Sequence, residues 1–196
     1  MTIFYKLENK LYVNITNDCP CDCTFCIRNS YDGVGDATSL WLPHPPTLHE
    51  IFTAFDRQDL SDVDEIVFCG YGEPLARGKE IAVITAYLRS KTSLPFRLNT
   101  NGLAVLLFSC FDFDSLAAFE TVSVSLNADD ADEYVRLVQP VFGKESYQAV
   151  LDFIKKARQH TTVIATVVDV LAPERIENCR ELTTALGVLF RVRHLQ

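Results

Sequence analysis

Four cysteines lie within eight residues of the sequence, in the run Cys19-Pro20-Cys21-Asp22-Cys23-Thr24-Phe25-Cys26. Cys19, Cys23 and Cys26 have the spacing C-x3-C-x2-C, and the aromatic Phe25 precedes the last of them. Cysteine thiolates hold cubane iron–sulfur clusters, which normally take four of them. Three local cysteines without an obvious fourth would leave one iron open, and an open metal position can bind a substrate or cosubstrate, as in catalytic zinc sites. The run therefore predicts an iron–sulfur centre with an exchangeable ligand.

The elements around this run alternate between strands and helices. Strands are predicted at residues 2–6, 10–16, 65–69, 96–98, 121–126, 162–168 and 188–193, and helices near 47–55, 79–90, 112–119, 130–139, 145–159 and 173–186. Such alternation is typical of parallel βα units. The first two strands predict a hairpin, and the six parallel strands are fewer than the eight of a closed barrel. We therefore expect an α/β fold, an open partial (β/α)6 TIM-type barrel with a short N-terminal β-hairpin.

Three further unusual segments follow strands of this predicted barrel. Gly70-Tyr71-Gly72-Glu73-Pro74 follows the second parallel strand, Asn99-Thr100-Asn101-Gly102 the third, and Asn127-Ala128-Asp129-Asp130 the fourth. Because chemistry in parallel α/β folds collects beyond the carboxyl ends of the strands, we expect these segments and the cysteine run to share one rim. Gly70 and Gly72 permit close backbone approach to a ligand and dihedrals closed to other residues. Glu73 adds an acceptor, and Pro74 stiffens the turn.

The cysteine run and the glycine segment together resemble motifs of the radical SAM superfamily. The C-x3-C-x2-C spacing with Phe25 is similar to that family's cluster motif, and Gly-Tyr-Gly-Glu-Pro resembles its Gly-Gly-Glu-Pro segment, with Tyr71 in place of one glycine. The resemblance implies that Cys19, Cys23 and Cys26 hold a [4Fe–4S] cluster whose open iron binds S-adenosylmethionine. It further implies reductive cleavage of that cosubstrate to a 5′-deoxyadenosyl radical, which abstracts hydrogen from a substrate that the sequence does not name.

The same resemblance implies roles for residues of all four rim segments. The backbone of Phe25 would lie against the adenine, and Asn99 and Asn101 match the loop that often follows the third strand. The methionine amino group would be held by the segment containing Gly70, Gly72, Glu73 and Pro74, and the ribose or methionyl carboxylate by Ser125 and Asn127. The longer runs around the cysteines and the glycines most resemble the small radical SAM group associated with TatD-type nucleases. A flavodoxin or ferredoxin would supply the electron.

Other interpretations of the cysteines stay open at this point. Three of them could bind zinc with His44 or His49 as the fourth ligand. Cys23 and Cys26 alone could form a dithiol redox pair. Cys21 could be a spectator thiol or a labile extra ligand.

Two other functions also stay open. An activase for glycyl-radical enzymes would use the open barrel side to admit a protein loop, although Ser125-Leu126-Asn127 stands where such proteins usually have Asp-x-Lys. A non-enzymatic iron–sulfur or zinc scaffold that binds a partner protein is the alternative from a different class. Reductive cleavage of S-adenosylmethionine would separate an enzyme from such a scaffold.

Composition limits the remaining possibilities. A length of 196 residues and 48% hydrophobic content predict a single core domain over residues 1–196. The net charge of −8 disfavours a broad nucleic-acid surface, because neutralising phosphates requires clustered Lys and Arg. The first residues contain no apolar signal core, and no apolar run approaches the ~18 residues of a membrane span. Seven cysteines, an odd number and locally crowded, indicate the reducing cytoplasm. A protein partner or substrate at the open barrel side is also expected.

Overall fold

The computed structural model describes residues 1–195, which form a single seven-stranded sheet with helices between its strands. The strands are β1 Phe4–Leu7, β2 Lys10–Val13, β3 Glu65–Phe68, β4 Phe96–Thr100, β5 Thr121–Ser125, β6 Thr162–Val168 and β7 Leu189–Arg193. Their order in the sheet is their order in the chain. The β1–β2 pair is an antiparallel hairpin, and every later neighbour is parallel. Since β1 and β7 are the two edges, the sheet is open.

Within residues 1–195, two of the six α-helices begin at a side-chain cap. The six helices are α1 Leu48–Phe55, α2 Gly78–Arg89, α3 Ala104–Leu107, α4 Ala131–Val138, α5 Glu145–Ala157 and α6 Pro173–Ala185. At α1, Thr47 and Glu50 form a reciprocal capping box, in which the Glu50 backbone N–H donates to Thr47 Oγ (3.2 Å). Asp130 caps α4 by accepting from the Glu133 backbone N–H (2.8 Å).

One face of the sheet packs against the helices, and we call it the outer face. Its strand residues are almost completely buried in the main hydrophobic core: Leu11, Val13, Ile66, Phe68, Phe96, Leu98, Val122, Val124, Val163, Ala165 and Val167. The opposite, inner face lines the barrel. The strand register places on it Tyr12, Val67, Arg97, Asn99, Thr121, Ser123, Ser125, Ile164, Thr166, Val168, Leu189, Arg191 and Arg193.

A long irregular segment covers the inner face at its β1–β2 end. Leu40 is buried there with Tyr5 and Tyr71, in a small cluster separate from the main core. Hydrogen bonds tie the segment to the residues after β2: Asn14 Nδ2 donates to the Leu40 carbonyl (2.8 Å), and Asn17 Nδ2 donates to that of Leu42 (2.7 Å). The segment is therefore an ordered wall of the barrel.

The predicted architecture, an open partial barrel with an N-terminal hairpin, is confirmed. The helix expected near 112–119 is present as a 3₁₀ helix over Phe113–Ala118. The short helix α3 was not predicted. Gln196, the last residue of the predicted domain, lies outside the described residues. Among the helices of residues 1–195, none is long and apolar enough to cross a membrane.

Candidate active site

The four segments that were predicted to share a rim all follow the carboxyl ends of neighbouring parallel strands, β2 to β5. The cysteine run is held in place by the connection between α4 and α5. The Thr24 N–H donates to the Leu137 carbonyl (2.9 Å), and the Val141 N–H donates to that of Pro20 (2.9 Å). Arg28 braces the same loop, because its Nη2 donates to the Cys21 carbonyl (3.1 Å). The cysteine run is thus fixed by two backbone hydrogen bonds to the end of α4 and the residues after it, and by one side-chain hydrogen bond from Arg28.

The thiols of the cysteine run interact with one another. Cys21 is buried, whereas Cys19, Cys23 and Cys26 are partly exposed. The Cys21 thiol hydrogen-bonds to its two neighbours, which lowers the pKa of Cys19 to about 6 and also lowers the pKa of Cys23. The same hydrogen bonds raise the pKa of Cys21, and burial raises that of Cys26. The lowered pKa values favour the thiolate, the form that ligates metals, at Cys19 and Cys23.

The two glycines of the second segment pack against the chain itself. Neither has a positive φ, so the expectation of dihedrals closed to other residues was wrong. A Cβ on Gly70 would lie 2.1 Å from Asn14 Oδ1, and one on Gly72 would lie 2.4 Å from the Thr16 carbonyl oxygen. Glycine is therefore required because the backbone at 70 and 72 lies close to the residues that follow β2. This close approach brings the glycine segment against the start of the cysteine run.

Glu73 joins two of the rim segments. Its buried carboxylate accepts from the Leu75 N–H (3.0 Å), the Thr100 hydroxyl (2.7 Å) and the Asn101 N–H (2.7 Å). Burial raises the pKa of Glu73 to about 7, and these donors act in the opposite direction. Pro74 follows as the first residue of a 3₁₀ helix, Pro74–Arg77. The first N–H of a helix has no partner within the helix, so proline costs no hydrogen bond there.

Tyr71 stands where the family motif has a glycine, and its contacts explain this difference. The residue is 4% exposed, and its ring packs edge-on against Trp41 with centroids 5.1 Å apart. Its hydroxyl donates to the Tyr31 carbonyl. Tyr71 therefore anchors the irregular segment over the inner face.

The two asparagines predicted from the third segment occupy different places. Asn101 lies on the rim, with Nδ2 3.8 Å from Cys19 Sγ and 3.7 Å from Cys21 Sγ. Asn99 was expected in the loop but lies within β4, because that strand extends to Thr100 through its pairing with β5. Its Oδ1 accepts from Arg97 Nη1 (3.0 Å) on the inner face. The structure thus joins Asn101, Glu73 and the cysteine run, and places Asn99 inside the barrel.

Ser125 and Asn127 lie at the end of β5. Ser125 ends the strand on the inner face, 3.5 Å from Arg193 Nη2. Asn127 is 4% exposed, has a positive φ of 58°, and its Oδ1 has no hydrogen-bond partner among the described residues. Strain and an unsatisfied buried polar atom often mark a functional position. Phe25, by contrast, is half-buried against the main core.

Tyr134 is a residue that the sequence analysis missed. It lies on α4, is completely buried, and its hydroxyl has no hydrogen-bond partner within residues 1–195. Burial is the main cause of its raised pKa, and the nearby thiols of the cysteine run add to it. The sequence shows Tyr134 only as one apolar position of an amphipathic helix. Its burial near the thiols depends on the three-dimensional fold and could not be predicted from residue spacing.

The histidines considered as zinc ligands lie elsewhere. His44 Nε2 is 3.2 Å from Glu50 Oε1, at the capping box of α1, and His49 is exposed on the same helix. Within residues 1–195, no three His, Cys, Asp or Glu side chains converge closely enough to hold a single metal ion. The structure thus places His44 at the start of α1, in contact with Glu50.

A comparison with protein-family models decides the assignment, because the model of the radical SAM superfamily matches residues 13–183. The chain belongs to the radical SAM superfamily. Proteins of this superfamily use a [4Fe–4S] cluster and S-adenosylmethionine, and they generally require a reductant. The lowered pKa of Cys19 and Cys23 and the orphaned Asn127 Oδ1 fit a site built for these cofactors.

Solved structures with bound AdoMet (S-adenosylmethionine) share the fold of this radical SAM chain. Native anSMEcpe with bound AdoMet matches with a TM-score of 0.65 at 11% identity, and the hexahistidine-tagged form with bound AdoMet matches with 0.64 at 15%. Native anSMEcpe with bound AdoMet and Cp18Cys peptide matches with 0.58 at 14%. Each match covers 94% of this chain and 50% of the other, so this chain spans half the length of those structures. No curated protein sequence matches.

Proposed function

We propose that this radical SAM enzyme holds its [4Fe–4S] cluster on Cys19, Cys23 and Cys26, and binds S-adenosylmethionine on the rim between β2 and β5. The observation that carries the proposal is the linkage of three segments. Asn101 donates its backbone N–H to Glu73 (2.7 Å), and its side chain lies 3.8 Å from Cys19 Sγ. When bound, the cluster and S-adenosylmethionine supply a 5′-deoxyadenosyl radical that removes hydrogen from a substrate.

The residues of the chain have distinct tasks in this proposal. Asn101 lies close enough to donate weakly to a sulfur, which would stabilise the thiolate that ligates iron. The Glu73 carboxylate bonds to protein groups and so positions the glycine segment against the loop after β4. The backbone groups of Gly72 and Glu73 would therefore contact the cosubstrate. The free Oδ1 of Asn127 and the hydroxyl of Ser125 supply polar contacts at the end of β5. Phe25, Gly70, Pro74 and Asn99 complete the proposed cofactor-binding set.

Further aspects belong to the same proposal. We place the chain in the small group associated with TatD-type nucleases, on the strength of the runs Asn17–Asn29 and Phe68–Pro74. A flavodoxin or ferredoxin would be the electron donor, and a protein partner or substrate would enter at the open side between β1 and β7. Residues 1–196 would form a single core domain. The seven unpaired cysteines support the reducing cytoplasm as its compartment.

The experiment that tests the ligand assignment compares two cysteines of one loop. After anaerobic reconstitution, Cys23→Ala should lose the cluster, whereas Cys21→Ala should keep about four irons and the same Mössbauer spectrum. Cys110→Ala is the matched control, because this thiol is exposed and lies between α3 and the 3₁₀ helix after it. Retention of the full cluster by Cys23→Ala, or its loss in Cys21→Ala, would show that the ligand set is wrong.

A further inference from the structure

Two arginines of the last strand project from the inner face of the barrel. Along β7, Phe190 and Val192 pack against the main core, and Arg180 of α6 covers the Phe190 ring at 4.8 Å. Side chains alternate along a strand, so Arg191 and Arg193 lie on the opposite face. The register agrees, because it pairs Arg191 with Thr166, which in turn pairs with Ser125.

The charges around this pair are unbalanced. From β3 to β7, the inner face carries the guanidiniums of Arg97, Arg191 and Arg193 and a single carboxylate, that of Glu65. That carboxylate is already used by Arg97, at 2.9 Å. Asp169, just beyond β6, is paired with His194 at 2.8 Å. Within residues 1–195, no carboxylate forms an ion pair with either arginine of β7. This concentration of positive charge occurs in a chain of net charge −8.

The position of the pair relates it to the proposed reaction centre. Arg193 Nη2 is 3.5 Å from Ser125 Oγ, and Ser125 is one of the residues proposed to contact the cosubstrate. Both arginines of β7 are exposed to solvent, so an anion that enters the open barrel can reach both guanidiniums.

We propose that Arg191 and Arg193 bind a carboxylate or phosphate group of the substrate and so hold the substrate at the rim, beside Ser125. Their Cα atoms are two residues apart on one strand, a separation of about 7 Å that lets two guanidiniums face one anion. The register puts Arg191 level with Ser125 and Arg193 one pair further toward the carboxyl end of β7, so an anion shared by both lies at the rim, on the side of the last strand. Guanidiniums bind carboxylate and phosphate in bidentate geometry. This inference rests on the proposed function, because it names the substrate class of that site.

The test is anion binding by the reconstituted holoenzyme with S-adenosylmethionine present. The probes are inorganic phosphate and malonate, titrated by calorimetry, and the tighter of the two indicates whether the substrate group is a phosphate or a carboxylate. Arg191→Gln and Arg193→Gln should each weaken the binding of that probe about tenfold. Arg180→Gln, on the outer side, should leave it unchanged. Affinity for S-adenosylmethionine should stay within about twofold in all three variants.

Different results identify different failures. If neither anion binds the wild-type holoenzyme, or if the Gln variants bind it as well as the wild type, the inference is overturned. It is also overturned if the Gln variants lose affinity for S-adenosylmethionine, because the pair would then hold the cosubstrate carboxylate. Failure of the proposed function is separate, since it appears in the wild type as a missing cluster or missing cosubstrate binding. Equal free energies of unfolding in urea show that the variants are folded.

Discussion

The two faces of the same sheet differ in what they contribute to the molecule. On the outer face, strand residues such as Phe68, Phe96 and Leu98 are fully buried against the helices. On the inner face, the same strands present Arg97, Asn99 and other polar side chains, and the long segment before α1 covers the part near β1 and β2. The outer face thus stabilises the barrel through its apolar core, and the inner face carries polar and charged side chains. Alternation along each strand makes this division possible, because neighbouring residues can serve different purposes.

The largest effect expected from this comparison is at two consecutive residues of β4. Leu98→Ala removes a fully buried side chain from the outer face and should lower the free energy of unfolding by about 2–5 kcal/mol. Asn99→Ala, on the inner face, should lower it by about 1 kcal/mol or less, because it loses a single hydrogen bond from Arg97. Urea denaturation followed by circular dichroism measures both. Equal losses would contradict the division between the faces.

A somewhat smaller effect is expected where the irregular segment is attached to the inner face. Tyr71→Gly, which restores the family's paired glycines, should lower the free energy of unfolding by about 3 kcal/mol and speed hydrogen exchange over residues 31–42. The reason is the loss of the ring that packs against Trp41 and of the hydroxyl bonded to the Tyr31 carbonyl. Tyr71→Phe keeps the ring and should retain most of the protection. Unchanged exchange in the glycine variant would show that other contacts hold the segment.

The smallest effect is expected at Tyr134, whose buried hydroxyl lacks a hydrogen-bond partner within residues 1–195. Tyr134→Phe removes an oxygen that has no partner within residues 1–195, so the free energy of unfolding of the cluster-free protein should stay within about 0.5 kcal/mol or rise. Thermal unfolding by calorimetry provides the measurement. A loss of more than about 1 kcal/mol would mean that the hydroxyl has a partner, such as a buried water, in solution.

Much of the fold follows from patterns along the chain. Apolar alternation, the capping box at Thr47 and the proline and glycine around α6 are local signals, so the elements that they define were correctly predicted. Helix α3 was not predicted, because Ala104–Leu107 is uniformly apolar and short, and periodicity carries no information over one turn. The end of β4 was misplaced because pairing with β5, a tertiary contact, extends the strand to Thr100.

The sequence predicted which segments follow the strand ends at the candidate site, but not the bonds between those segments. The cysteine spacing and the segments after each strand are visible in the sequence, and the parallel topology brings them to one rim. The bonds from Thr100 and Asn101 to the Glu73 carboxylate span 27 and 28 residues, and no pattern encodes them. The packing of Gly70 against Asn14, and the unpaired hydroxyl of Tyr134, likewise depend on three-dimensional neighbours.

The most direct test of the central claim is an assay for 5′-deoxyadenosine. The wild-type protein would be reconstituted anaerobically with iron and sulfide, then reduced with dithionite in the presence of S-adenosylmethionine. We expect 5′-deoxyadenosine and methionine from the wild type and from the Cys110→Ala control, and neither product from Cys23→Ala. A wild-type protein that assembles the cluster but forms no 5′-deoxyadenosine, or a Cys23→Ala protein that forms it at the wild-type rate, would contradict the account.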